Sequence, residues 1–99
     1  MIRAFIERHV KPGKREEVIE LLRELRSACV KRKGYASGET LFDPNDSSSI
    51  IVISTWATLS SWKLWEQSEE RQHINSEIRP LLSKEPVVRT YVVAATEEV

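Results

Sequence analysis

Ile50, Ile51, Val52 and Ile53 follow one another with no polar residue between them, and Val87, Val88 and then Tyr91, Val92, Val93 repeat the pattern near the C-terminus. Successive side chains of a strand point to opposite faces, so runs of this kind ask for burial on both sides of a sheet. Two helices can cover only one of those sides. The other would leave an apolar patch above the few hundred Å² that a soluble monomer usually exposes. A second copy packed against it is the simplest cover, and a twofold homodimer is the expectation.

The remaining elements fall around these strands. Residues 2 to 10 are rich in Ile, Phe and Val without helical spacing, and Lys11, Pro12 and Gly13 end the run, so this is the first strand. From Lys14 to Lys33 the apolar positions Val18, Leu21, Leu22, Leu25, Ala28 and Cys29 recur at three and four, which predicts a helix. Lys31, Arg32 and Lys33 suit its negative end as a solvated basic stretch, and Gly34 suits a positive φ just beyond. Tyr35 to Phe42 reads as the second strand. Asp43, Pro44, Asn45, Asp46 and three serines read as a polar loop into a third, Ile50 to Ala57. Leu59 to Gln67 is a short helix capped by Thr58 or Ser60, and Ser68, Glu69, Glu70 open a second helical piece that runs to Leu82. In that piece Ile74, Ile78, Leu81 and Leu82 share a face, and Pro80 marks its end. Val87 to Thr96 is the last strand, and Glu97, Glu98 and Val99 form a solvated tail. The order βαββαβ predicts one α+β domain over residues 1–99, a ferredoxin-like four-stranded antiparallel sheet with helices on one face.

Fifteen basic against fifteen acidic residues give a formal net charge of zero, without the basic excess by which duplex-binding proteins neutralise phosphates. Nucleic acid is disfavoured as the main partner. No apolar stretch approaches the roughly 20 residues of a membrane-spanning helix, and the N-terminus lacks the order of a signal peptide. A cytoplasmic protein is expected. The single cysteine, Cys29, lies in the apolar helical stripe and reads as a small core residue. There is no phosphate-binding glycine loop, nucleophile elbow or clustered Cys/His metal spacing.

Three further groups have the chemistry for a site. Trp56, Trp62 and Trp65 fall within ten positions, and the last two share a helix face, so they either line a pocket for a flat hydrophobic or aromatic ligand or fill the core. His73 has Glu69 and Glu77 four residues to either side: a general base oriented by carboxylates, a divalent metal site, or a solvated helix edge. Arg8 and Arg89 each sit on an apolar strand face, where an unpaired charge costs several kcal/mol. Their partners are Glu39, a dimer-interface carboxylate or an anionic ligand. His9 reads as structural.

The element order, Trp56 at the end of the third strand, and the following Ala57-Thr58-Leu59-Ser60-Ser61-Trp62-Lys63-Leu64-Trp65 together resemble the antibiotic biosynthesis monooxygenase superfamily. The resemblance covers almost the whole chain and implies a dimeric α+β barrel with a cavity between sheet and helices. Members use that cavity for cofactor-independent oxygenation of anthrones or quinols, for heme degradation, or for handling small signalling molecules. Matched to the anthrone oxygenases, Trp56 is retained, a cavity tyrosine becomes Trp62, an asparagine becomes Val52, and a late helical arginine falls at Arg79. Matched to the heme-degrading branch, Trp65 is retained, but Asn75 stands where the iron-ligating histidine belongs and Glu7 replaces an asparagine. His73 is two residues early, about 200° around an ideal helix. The resemblance therefore disfavours heme and implies a cofactor-independent monooxygenase for a quinol- or anthrone-like aromatic. In that reading His73 is the base, Arg79 or Arg89 the anion donor, and Trp56, Trp62 and Trp65 the substrate-binding wall. The alternative is a non-catalytic dimer that binds a small ligand or serves as a stress or regulatory module, in which the cavity's polar groups all engage one another.

Overall fold

The computed structural model describes residues 1–97. Its elements are β1 (Ile2–His9), α1 (Arg15–Cys29), β2 (Tyr35–Asp43), β3 (Asp46–Trp56), α2 (Leu59–Glu66), α3 (Glu69–Ile78), a 3-10 turn (Arg79–Leu81) and β4 (Val87–Val92). The strands form one antiparallel sheet in the order β2-β3-β1-β4, the ferredoxin-like arrangement that the element order predicts.

Strand alternation decides what each face carries. Ile2, Ala4, Ile6, Arg8 and Val10 point toward the helices and are buried. The β1–β3 register sets Trp56, Ser54, Val52 and Ile50 beside the first four of them. Val18, Leu22, Leu25, Ala28 and Cys29 of α1, Trp62 and Trp65 of α2, and Ile78 of α3 close the core from above. On the opposite face lie Phe5, Ile51, Ile53, Arg89 and Tyr91, with Phe5 and Tyr91 packed edge to face at 5.5 Å. Among the described residues no helix covers that face: Phe5, Ile51 and Ile53 are half-buried, and Tyr91 is exposed.

Several boundaries differ from the sequence expectation. Helix α1 stops at Cys29, its last core-facing residue, and two turns closed by Arg32 N to Cys29 O and Tyr35 N to Arg32 O carry the chain to β2. The basic triplet thus lies beyond the helix rather than in its last turn. The three serines are strand, not loop: Asp43 accepts from Asn45 N at 2.8 Å and Asp46 from Ser48 N at 3.0 Å, and only Pro44 and Asn45 remain between the strands. Strand β3 ends at Trp56, where Ala57 N turns aside to donate to Gly34 O at 2.7 Å. Strand β4 ends at Val92, because its neighbour β1 begins at Ile2; Val93 N to Met1 O is the final link. Of the expected tail, Glu97 is exposed, and residues 98 and 99 lie outside the described region.

The break in the helical region is as expected. Thr58 caps α2 by accepting from Ser61 N, and Ser68 both donates to Trp65 O at 2.8 Å and accepts from Arg71 N at 3.2 Å. Ser68 therefore ends one helix and starts the next.

Gly34 holds φ at +89°, and a Cβ there would meet the Ser61 side chain, with Ser61 Cβ at 2.6 Å. Gly34→Ala is expected to destabilise the fold by more than about 1 kcal/mol in denaturant melts, through both backbone strain and the clash. Adding Ser61→Gly should restore only the steric part.

Candidate functional site

Between the sheet and the helices lies a cavity of about 50 Å³ that opens to solvent. Its inner wall is apolar, with Ile6 and Val52 from the sheet and Leu22, Leu25 and Cys29 from α1. Trp62 and Trp65, one helical turn apart on α2, add aromatic surface. Arg71 lies over the Trp62 ring at 5.4 Å and Arg32 over the Trp65 ring at 5.2 Å, so a cation faces each tryptophan. Trp56 is fully buried behind this wall and does not line the cavity. It packs edge to face against Tyr35 at 5.4 Å and Trp62 at 6.0 Å, and its Nε1 donates to Ser54 Oγ at 3.0 Å. Exposed residues of α1 and β2 form the rim, where Arg26 Nη2 donates to Thr40 Oγ1 at 2.6 Å.

Two arginines stand at the inner end. Arg8 is 1% exposed and Arg71 8%, and both line the cavity. Arg8 Nη2 donates to Asn75 Oδ1 at 3.2 Å, whereas its Nε and Nη1 have no hydrogen-bond partner. Arg71 Nη1 reaches the main-chain oxygen of Glu66 at 3.5 Å. Among the described residues neither guanidinium forms an ion pair. Burial, and secondly the charge of Arg71, push the Arg8 guanidinium down to about 10. Burial also lowers Arg71, with the charge of Glu66 opposing it. The same burial pushes the Cys29 thiol up to about 12 despite the nearby Arg71 and Arg32, which leaves it protonated and unreactive. Tyr35 is raised as well, mainly by desolvation.

The arginine pair also lines a second, more polar groove with Gln67, Gln72, Asn75 and Arg79. The two cations therefore separate an apolar chamber from a polar one.

The structure brings together only some of the residues expected to form a site. Trp62 and Trp65 meet in the cavity wall, and Trp56 supports them from behind. The His73 side chain is 77% exposed on the outer edge of α3, with Nε2 3.2 Å from Glu77 Oε1, and it lines neither chamber. Arg79 is exposed at the rim of the polar groove, 3.7 Å from Glu85. Arg89 lies on the uncovered sheet face beside Phe5. His9 is on that face too, paired with Glu7 at 2.9 Å. Arg8 is turned toward the helices, so neither Glu39 nor a contact through the uncovered face pairs with it.

Neither Arg71 nor Asn75 is a site residue in the sequence expectation, although Asn75 lies three residues and Arg71 seven residues before Ile78, which places both on the inner stripe of α3. A charged residue inside that stripe is the signal that finds them. Asn75, in the position of the heme branch's iron ligand, is engaged by Arg8. Neither histidine reaches the cavity, so these donors do not fit a heme.

The family model for antibiotic biosynthesis monooxygenase matches residues 1–77, and the chain belongs to that family. Solved structures share the fold at low sequence identity. A conserved protein from Methanosarcina mazei Go1 superimposes with TM-score 0.86 at 21% identity, covering 91% of this chain and 89% of that one. SnoaB, a cofactor-independent oxygenase from Streptomyces nogalater, gives 0.83 at 13% identity, with 96% and 95% covered. A Deinococcus radiodurans protein classed with the antibiotic biosynthesis monooxygenases gives 0.91 at 10% identity, with 100% and 98% covered. No protein of curated function matches in sequence.

The folded state holds Arg8 below its ordinary pKa, so its charged form is disfavoured by roughly 3 kcal/mol. The sign follows: this cost is present in full below pH 10 and fades as pH rises from there toward 12.5. Arg8→Met is therefore expected to raise stability at neutral pH by about 1–3 kcal/mol in denaturant melts. A loss of stability would instead assign Arg8 a structural role.

Proposed function

We propose that this protein is a cofactor-independent monooxygenase that inserts one atom of dioxygen into an electron-rich phenolic ring system, anthrone- or quinol-like, held in the cavity. The observation that carries the reading is the pair of buried, unpaired guanidiniums at the end of an aromatic-walled, apolar chamber. A purely binding module would have its cavity polar groups engaged by one another, and Arg8 Nε and Nη1 are engaged by nothing. Family membership and the likeness to SnoaB support the same reading.

For an anthrone the chemistry needs no external reductant. Its phenolic tautomer loses a proton, and the anion gives one electron to dioxygen. The resulting superoxide and carbon radical combine at the ring carbon, and the peroxide anion takes up a proton. The hydroperoxide formed loses water, leaving a carbonyl, so one oxygen atom ends in the product and one in water. The protein's part is to favour the anion and exclude bulk solvent. Trp62 and Trp65 hold the ring. Arg8 and Arg71 lower the phenol's pKa and steady the oxyanion, and the released proton leaves through the polar groove. With His73 outside the cavity, the electrostatic field of the two cations takes the place of a positioned base.

A second copy of the chain covers the uncovered sheet face in this proposal, which would bury Phe5, Ile51, Ile53 and Tyr91. The solution mass is then twice 11.4 kDa, and a monomer at micromolar concentration would overturn the dimer.

The activity is tested by oxygen consumption with a panel of anthrones and hydroquinones against a no-protein autoxidation control. Consumption above that control is expected, falling about 10-fold or more in a folded Trp65→Leu variant and staying unchanged in His73→Ala. A fall of about 100-fold in His73→Ala would restore the histidine as the base. No consumption across the panel would remove the oxygenase reading.

A further inference from the structure

We propose that Arg8 and Arg71 form a carboxylate subsite, so that the ligand of this cavity is an aromatic acid rather than a neutral ring. The inference rests on the cavity being the substrate site and adds a second recognised group to it. A guanidinium has five N–H donors, and of those on Arg8 only Nη2 has a partner, Asn75. Among the described residues the Arg71 guanidinium donates one hydrogen bond, to a main-chain oxygen at the long distance of 3.5 Å, beside its contact with the Trp62 ring. Glu39 is exposed on the rim and Glu66 half-buried in the polar groove, and neither pairs with either cation.

A neutral phenol cannot compensate these charges on entry. It does so only after losing its proton, and one phenolate then faces two cations. A ligand with a fixed negative charge satisfies the pair as it binds, and leaves the second cation for the phenolate that oxygenation requires. Carboxylate fits because its planar oxygens accept the forked N–H groups of arginine, while the flat ring attached to it meets Trp62 and Trp65. The walls select as well: Ile6, Leu22, Leu25 and Val52 offer an inorganic anion nothing, so the ring and the acid are recognised together.

The test compares 2-naphthoate with its uncharged counterpart 2-naphthalenemethanol on the full chain, by calorimetry and by quenching of tryptophan fluorescence. Naphthoate is expected to bind at least about 10-fold more tightly. Arg8→Met and Arg71→Met should each remove that preference. Equal affinities in the unsubstituted protein would overturn the subsite, as would a preference that survives both substitutions. Should a variant fail to fold, the unsubstituted protein still decides, since naphthoate should raise its melting temperature more than the alcohol does. Inorganic phosphate binding as tightly as naphthoate would also overturn it, by showing an anion hole indifferent to the ring. Naphthoate preference without oxygen consumption on any substrate would sink the oxygenase reading alone. Consumption of neutral anthrones without naphthoate preference would sink the subsite alone.

Discussion

Two positive charges with no negative partner have been placed between a sheet and its helices, and the rest of the structure is arranged to tolerate them. Alternation along β1 turns Arg8 inward among Ile6, Val10 and Ile50. The helical break at Ser68 sets the first turn of α3 so that Arg71 is buried over Trp62. Asn75, one turn further on, is the single side chain that steadies Arg8. A core that served only stability would replace such a pair with hydrocarbon, because buried charges rarely repay their desolvation. Their retention against that gradient is the physical argument for a ligand.

The elements were legible in the sequence to the extent that burial wrote them there. Apolar spacing in α1, the unbroken Ile50–Ile53 run and the caps at Thr58 and Ser68 each appear where the structure has them. Ends set by something other than burial were not legible. Strand β4 stops because β1 has no residue left to pair with it, and no local pattern in Val87 to Thr96 records where another strand begins. The serines after Asp46 joined β3 because two aspartates closed the turn early, a competition between side-chain and ladder hydrogen bonds that composition leaves open.

The candidate site was legible by half. Trp62 and Trp65 announce themselves through size and spacing. His73, flanked by Glu69 and Glu77, has the composition of an active site, but α3 presents it to solvent; a residue's chemistry carries no direction. Arg8 was recognisable as a charge on an apolar face, while the identity of that face depended on which side the helices took. Arg71 was hidden by its surroundings: among Glu66, Glu69, Glu70 and Gln72 it looks like one more surface charge, and only its distance from Ile78 gives it away.

The mouth of the cavity is open, and one exposed link, from Arg26 on α1 to Thr40 on β2, crosses its rim. Water can replace such a bond at a net cost of about 0.5–1.5 kcal/mol, and side chains of this kind rearrange in nanoseconds or less. The link is thus a latch across an entrance rather than a lid over it. Traffic through it would be fast beside typical turnover times of milliseconds to seconds. The pace of the protein would then be governed by what happens to a molecule once inside, and crowding by small solutes outside would be felt at once.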